Sequence, residues 1–212
     1  MPVRETLLVA LEREAEIVRR ALPGGTMHPP LVISGMGPVR ARLAARVQVA
    51  AGAEALLSVG FAGALCPPAR VGDIVLPRVV IDEAGNRLLV DANIHERLDR
   101  VLSGGFKLRY ATLCSTGHVL CDAAGKRILA GEMDAESVDM ESAAIGCVAR
   151  DAGLPFAVLR VVCDGPHQGV PLCATQSTDA LGRIVAARPF SSPALRPWGV
   201  PGLLALAVGR SP

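Results

Sequence analysis

The sequence predicts an α/β fold, a single domain with a mixed, mostly parallel central sheet and helices on its faces. Apolar runs such as LPFAVLRVVCD, which ends at Asp164, are rich in β-branched residues, as is typical of strands buried on both faces. These runs alternate with segments of helical spacing, and such alternation indicates a largely parallel sheet. Ligands of such sheets bind beyond the carboxyl ends of the strands, so function is expected near residues 137–165.

The predicted elements follow one another along the chain. Strands are expected at 6–11, 31–37, 55–65, 73–81, 108–114 and 154–164. Helices are expected at 11–22, 38–50, 93–102, 123–130 and 140–151. Pro38 and Asn93 are residues that favour helix starts. In the second helix, the apolar stripe is expected to face the core and consists of Val39, Leu43, Val47 and Ala50.

Composition excludes several classes of protein. The chain has 212 residues, half of them hydrophobic, and a formal net charge of +2, which suits one well-cored domain. No basic run with interleaved aromatic residues is present, so nucleic-acid binding is not expected. No window approaches the roughly 20 apolar residues of a membrane span, and the first apolar stretch is short for a signal peptide. The six cysteines are spaced singly, which predicts reduced thiols, a cytoplasmic location and no metal site.

The last part of the sequence differs from the rest. Residues 1–187 are expected to form the catalytic domain. Residues 188–212 are expected to form a proline-rich connector followed by a short apolar helix at 203–208. This helix has three candidate positions: docked on the domain, against a partner subunit, or in peripheral contact with a membrane. Docking is favoured, because a short apolar segment usually belongs to a core or an interface.

Four blocks of the chain carry a family resemblance: GMGPVRA, SVGFAGALCPPARVGDIVLP, VDMESAA and LRVVCD. In order and spacing they resemble the nucleoside phosphorylase and nucleosidase superfamily (purine and uridine phosphorylase family 1), whose members cleave N-glycosidic bonds. The resemblance covers about residues 5–187. The motif VDMESAA…GLPFAVLR and the proline-rich tail are most similar to those of the hopanoid-associated phosphorylases, which remove adenine from an adenosyl-hopane precursor. The methylthioadenosine and adenosylhomocysteine nucleosidases are the next most similar group.

The resemblance implies an enzyme acting on a small-molecule adenine nucleoside with a bulky or apolar 5′ substituent, and a homo-oligomer. It implies phosphate or water as co-substrate and no cofactor. Between Pro77 and Asn93 the chain lacks a longer loop that closes over the 5′ substituent in the nucleosidases. A pocket without that loop is open on its 5′ side. A methylthioadenosine or adenosylhomocysteine nucleosidase and a non-catalytic nucleoside-binding protein remain alternatives, whereas a dinucleotide-binding dehydrogenase would carry the missing GxGxxG fingerprint.

Two carboxylates are the candidate catalytic residues. A purine is a poor leaving anion unless it is protonated, and Asp164 at the end of a buried strand is placed to donate a proton toward N7. Its alternative role is to cap the following turn, because Asp-Gly-Pro is a turn signal. The resemblance implies that Glu14 orients or activates attacking water. Glu14 is otherwise an ordinary acidic residue in a first helical turn.

The substrate contacts come from the resemblance. It implies that Glu141 accepts hydrogen bonds from the ribose hydroxyls and that Met140 packs under the sugar. The helix dipole and core packing are the alternative roles of these two residues. Backbone near the base and sugar would come from the GxxG turn and from the stretch after residue 117. These candidate contacts are Gly60, Phe61, Ala62, Gly63, Leu120 and Cys121. Tight packing of strand against helix is the alternative reason for the GxxG turn.

The nucleophile is left open. Phosphorylases of this superfamily hold phosphate with an arginine and a serine around the GxxG turn, where this chain has Ser58 and Phe61. Phosphate could still contact backbone amides, Gly37 and Arg40 at the start of the second helix. The individual residues favour hydrolysis, whereas the subgroup resemblance favours phosphorolysis.

Overall fold

The computed structural model of the chain describes residues 4–21, 28–120 and 122–168. Cys121, and the predicted connector and apolar helix of residues 188–212, lie outside the described residues. The described strands are β1 (Glu5–Val9), β2 (Leu31–Ile33), β3 (Ala55–Ala64), β4 (Ile74–Val75), β5 (Val79–Asp82), β6 (Arg87–Leu89), β7 (Leu108–Arg109), β8 (Leu113–Ser115), β9 (Ser137–Asp139) and β10 (Phe156–Asp164). The described helices are α1 (Glu12–Ala21), α2 (Pro38–Ala50), α3 (Ala92–Leu102), α4 (Ala123–Met133) and α5 (Ser142–Asp151).

The strands form a single mixed sheet in which parallel pairs predominate. Its order is β6-β5-β8-β9-β3-β10-β4-β7, and β1 pairs with both β2 and β3. Strand β3 is parallel to β1 and β10, while β9, β4 and β6 each make an antiparallel pair. The α/β fold predicted from the sequence is therefore confirmed. None of the helices within the described residues is long and apolar enough to cross a membrane.

Strands β3 and β10 form the centre of the core. Their successive side chains point to opposite faces of the sheet, so each strand supplies both cores. Leu57 and Leu159 pack on one face with residues of α1 and α3. Leu56 and Val158 pack on the other face with residues of α2 and α5. Each such fully buried aliphatic side chain contributes about 1.5–3 kcal/mol relative to an exposed one.

Helix α2 does not bury the predicted face, so this expectation was wrong. Val39, Leu43 and Val47 are 80%, 65% and 54% exposed, whereas Ala41 and Ala45 are completely buried. Both alanines belong to the same core cluster as the small residues of α5. Small side chains allow two helices to approach closely, so the shape of the contact with α5 determines which face of α2 is buried.

Several element boundaries also differ from the predictions. The strand expected at 73–81 is divided into β4 and β5 around Pro77, whose missing N–H interrupts a strand ladder. The strand expected at 108–114 is likewise divided into β7 and β8. Helix α3 is capped by Asp91, not Asn93: the Asp91 carboxylate accepts a hydrogen bond from the N–H of Ile94 at 2.9 Å. Strand β9 was not predicted, because three residues are too few to show a period.

Candidate active site

A cavity opens beyond the carboxyl ends of β1, β3 and β10. Its volume is about 160 Å³, and it is open to solvent at its mouth. Its apolar wall includes Leu11, Met36, Phe61, Val119, Leu120, Val138 and Met140. Its polar side chains are Glu14, Thr116, His118, Lys126, Asp139, Glu141, Cys163 and Asp164. The three predicted carboxylates Glu14, Glu141 and Asp164 therefore lie around one space.

Glu14 is held rigidly at the start of α1. One carboxylate oxygen, Oε2, accepts hydrogen bonds from the N–H groups of Ala10 and Leu11, both at 2.8 Å. The other, Oε1, accepts one from Phe61 N–H at 2.8 Å. Burial nevertheless raises the pKa of Glu14, and the opposing effects of the Arg160 charge and of these bonds are smaller. A carboxylate in this state is well suited to take up a proton.

Gly60 makes room for Glu14. A Cβ atom at residue 60 would overlap Oε1 of the Glu14 carboxylate. The described cavity lining includes Phe61, Ala62 and Gly63 but not Gly60. The predicted contact between Gly60 and substrate is thus replaced by a contact between Gly60 and Glu14.

Glu141 lies at the start of α5 but bonds to another part of the fold. Its Oε1 accepts a hydrogen bond from Gly37 N–H, at the start of α2, at 2.7 Å. Burial, and next the neighbouring Asp139 carboxylate, raise the pKa of Glu141 to about 8, whereas the Arg160 charge lowers it. The side chain makes no capping hydrogen bond to its own helix. The Glu141 carboxylate is therefore held by its hydrogen bond from Gly37 and not by a capping contact with α5.

Asp164 ends β10, and its side chain lies in the cavity wall. Its Oδ2 forms an ion pair with the buried ammonium of Lys126, and its Oδ1 accepts a hydrogen bond from Cys163 Sγ at 3.2 Å. The following turn is closed by Gln168, whose side chain accepts from Gly165 N–H at 2.8 Å. Gln168 therefore caps that turn, which was the alternative role predicted for Asp164.

Both Cys163 and Asp164 line the cavity, although neighbours in a regular strand point to opposite faces. The reason is an irregularity in β10. Its register against β3 shifts between Val162 and Asp164, so that Asp164 pairs with Gly63. A Cβ atom at Gly63 would lie 3.1 Å from Oδ2 of Asp164, which leaves little space for a side chain there.

A buried arginine, Arg160, lies in the middle of β10 and was missed by the sequence reasoning. Its Nη2 donates to Asp139 Oδ2 at 2.6 Å, and Nε donates to the same oxygen at 2.9 Å. Nη2 also donates to the hydroxyls of Ser58 and Ser142, at 2.6 and 2.9 Å. The charge of Arg160 lowers the pKa values of both Glu14 and Glu141 against the effect of burial. The available signal was a charged residue inside the apolar run LPFAVLRVVCD.

Lys126 was also missed. It lies on α4, is 1% exposed and lines the cavity next to Asp164. Its acceptors lie about 40 residues further along the chain, so no local pattern marks it.

The remaining predicted contacts divide into two groups. Leu120 and Met140 line the cavity as expected, and Cys121 lies outside the described residues. The structure also places Arg40 and Gly37, the two residues predicted to contact phosphate. Arg40 is exposed, lies outside the cavity lining and donates to Met36 O at 3.4 Å. The N–H of Gly37 is already used by Glu141, so it cannot serve an anion in this arrangement.

Comparisons with known proteins agree with this architecture. The 5′-methylthioadenosine/S-adenosyl homocysteine nucleosidase of Campylobacter jejuni has a TM-score of 0.74 at 18% identity, covering 95% of this chain and 94% of that chain. A point mutant of the Helicobacter pylori enzyme MTAN, with 5′-methylthioadenosine in its active site, has a TM-score of 0.77 at 16% identity, covering 97% of each chain. Futalosine hydrolase of Helicobacter pylori has a TM-score of 0.69 at 19% identity, covering 77% of this chain and 88% of that chain. At these identities the likeness shows a common fold.

No curated protein matches the chain. A model of one protein family, however, matches residues 9–187, which include every described element from α1 onward. The chain therefore belongs to the phosphorylase superfamily, which confirms the enzyme class expected from its sequence, a nucleoside phosphorylase or N-ribosyl hydrolase.

Proposed function

We propose that the protein cleaves the N-glycosidic bond of an adenine nucleoside that carries a bulky or apolar 5′ substituent, of the adenosylhopane type, and releases adenine. The observation that carries this proposal is the meeting of Asp164, Glu141 and Glu14 around one largely apolar cavity. Cleavage of such a bond needs an acid at the leaving base and negative charge near the sugar. It also needs a base at the nucleophile. Three carboxylates from separate elements supply all three functions.

In this mechanism Asp164 donates a proton to N7 of the purine as the bond between C1′ and N9 breaks. The bonding electron pair passes to the purine, and positive charge develops on C1′ and the ring oxygen. Glu141 hydrogen-bonds the ribose hydroxyls. Its ionised form, which predominates above about pH 8, favours that positive charge, an effect that is larger in a cavity with little water. Met140 packs beneath the sugar. Glu14 takes a proton from the attacking water, whose oxygen bonds to C1′.

Water is the nucleophile that the cavity favours. Among the described lining residues the basic side chains are Lys126 and His118, and the Lys126 ammonium is paired with Asp164. Phosphate in proteins is usually met by arginine forks or free backbone N–H groups. The amide of Phe61 is instead used by Glu14. Phosphorolysis remains the second candidate, supported by the resemblance to the hopanoid-associated phosphorylases.

The apolar wall supports an apolar 5′ substituent. Leu11, Met36 and Val119 contribute to it, and the cavity is open on one side. A methylthioadenosine nucleosidase is the alternative, and the fold shared with an enzyme that holds 5′-methylthioadenosine favours it. The two candidate enzymes differ in the length of the 5′ group that they prefer.

We further propose that residues after 197 help to bind a long 5′ group. If truncation after residue 197 left the turnover of a long-chain substrate unchanged, these residues would have no such role.

The test measures adenine release by the purified full chain from methylthioadenosine, adenosylhomocysteine and a 5′-long-alkyl adenosine. Each substrate is assayed with and without phosphate, and the sugar product is identified by mass spectrometry. We expect the highest kcat/KM for the alkyl substrate, and a free ribose that keeps its 5′ substituent as the sugar product. The 1-phosphate of that substituted ribose would instead establish phosphorolysis, and preference for methylthioadenosine would establish the alternative substrate.

Replacing the acid tests the assignment of Asp164. The variant Asp164→Asn should lose about 100- to 10,000-fold in kcat while still binding nucleoside, the usual contribution of a general acid. Asp151→Asn is the matched control, because Asp151 is exposed at the end of α5 and should keep full activity. A fully active Asp164→Asn enzyme would contradict the proposed role.

A further inference from the structure

Lys126 is one of only two lysines among the 22 basic residues of the chain, and it is buried. Its side chain extends from α4 to the end of β10. The ammonium donates to Asp164 Oδ2 and, at 2.8 Å each, to the carbonyl oxygens of Gly165 and Gln168. An ammonium has three N–H donors, so these three acceptors satisfy all of them. Lys126 thereby holds the cavity-lining carboxylate and the turn that follows it.

Burial of the Lys126 ammonium is not explained by stability alone. Taking an ammonium out of water is unfavourable unless a partner and hydrogen bonds replace the water, and packed apolar side chains are often as stabilising as a buried ion pair. The site also suits lysine specifically. Its three acceptors converge on one compact charge, whereas a planar arginine fork is matched to bidentate partners. The pairing of Lys126 with a carboxylate of the cavity points to a role in the chemistry of that carboxylate.

We propose that Lys126 is a positioning residue that orients the Asp164 carboxyl for proton transfer to N7 of the purine. The proposal rests on the function proposed above. As Asp164 passes its proton to N7, the electron pair of the C1′–N9 bond moves to the purine. The carboxylate that remains faces an ammonium already in place, which stabilises the product of proton transfer. Asp164 regains a proton from solvent between turnovers.

The other titratable groups near Asp164 are arranged differently. The thiol of Cys163 donates to Oδ1, and burial, followed by the charge of Asp164, raises its pKa well above the ordinary value. His118 is exposed at the cavity mouth and lies 3.2 Å from the Glu83 carboxylate. The carboxyl groups that share the cavity are Glu14, Asp139 and Glu141. Among these described groups, Lys126 is the cation in contact with Asp164.

The variant Lys126→Met tests the proposal, with Lys107→Met, at an exposed position just before β7, as its matched control. We expect kcat to fall by about 10- to 100-fold, part of the contribution of a general acid, with KM changed by less than about threefold. A fall in kcat at nearly constant KM is the signature of a group that acts in the transition state and not in substrate binding.

A purely structural role would lower the melting temperature but leave kcat of the folded variant at the wild-type value, and that result would overturn the proposal. The Lys107→Met control should keep the wild-type kcat and KM. Circular dichroism establishes that each variant is folded before its kinetics are measured.

A second measurement tests whether Lys126 acts through Asp164. Adenine binding is measured by calorimetry for the wild-type protein, Lys126→Met, Asp164→Asn and the double variant. If Lys126 acts by holding the Asp164 carboxyl, the double variant should bind adenine no more weakly than Asp164→Asn alone. Fully additive losses in the double variant would overturn the proposal. Non-additive losses without turnover of any nucleoside would instead overturn the proposed function alone.

Discussion

Glu141 gives the sharpest prediction about stability. Burial and the adjacent Asp139 carboxylate raise its pKa to about 8 in the folded protein, from 4.5 for an unperturbed glutamate. The folded state therefore binds this proton over a range of pH in which the unfolded chain has released it. The stability that the protonated group contributes is complete below about pH 4.5 and is lost as pH rises through about 8.

The expected magnitude follows from these two pKa values. One proton of difference changes the free energy of unfolding by about 1.4 kcal/mol per pH unit. Between pH 5 and pH 8, Glu141 alone should lower it by at most about 3 to 4 kcal/mol. The variant Glu141→Gln lacks the titration, and its amide oxygen can still accept from Gly37 N–H. The variant should therefore fold and be markedly less sensitive to pH.

Urea unfolding at pH 5, 6, 7 and 8 measures the effect. The buried carboxyl of Glu14, whose pKa is also raised, is present in both proteins, so the difference between their pH slopes isolates Glu141. Glu132→Gln, at an exposed position on α4, serves as the control and should keep the wild-type slope. Equal slopes in wild type and Glu141→Gln would refute the reasoning that burial raises the pKa of this carboxyl.

Two other substitutions and one chemical reaction have defined outcomes. Gly60→Ala places a Cβ against the Glu14 carboxylate, so kcat should fall at least about tenfold as Glu14 is displaced. Arg160→Met leaves Asp139 buried without its partner and should cost about 3–5 kcal/mol of unfolding free energy, measured with urea. The thiol of Cys163, whose pKa burial raises well above its ordinary value, should react with iodoacetamide at pH 7.5 far more slowly than a small free thiol.

Each of the two substitutions has a control within the same fold. Gly131→Ala, on α4 with open space around it, should raise stability by up to about 1 kcal/mol. Arg150→Met, on the surface, should leave stability unchanged. Wild-type kcat in Gly60→Ala, wild-type stability in Arg160→Met, or rapid labelling of Cys163 would each contradict the corresponding contact.

The fold class was predictable from the sequence because its signals are local. Apolar β-branched runs and helical spacing repeat along the chain, and they led to the correct α/β assignment. The buried face of α2 was not predictable, since Val39, Leu43 and Val47 form a regular apolar stripe that nevertheless faces outward. Which face is buried depends on the small residues of a helix about 100 residues away. Strand β9 was missed for a related reason. It has only three residues and is defined by its pairing with β3 and β8, which are distant in the sequence.

The candidate site was predictable where one segment carries the signal. Asp164 and Glu141 stand at the ends of recognisable elements, and the structure brings both to the cavity. Arg160 and Lys126 were missed because a buried charge is justified only by its partners. Those of Arg160 are distributed over β3, β9 and α5. At Gly37 a local signal was misleading. A backbone N–H at a helix start predicted an anion site, but this N–H donates to the distant carboxylate of Glu141.

The irregularity near the end of β10 limits how this edge of the sheet can change. It allows Cys163 and Asp164, which are sequence neighbours, to share one space. Removing or adding a single residue after Arg160 would exchange inward and outward positions for everything that follows. Related sequences are therefore expected to differ at this edge by amino-acid substitutions and to keep the length of the strand.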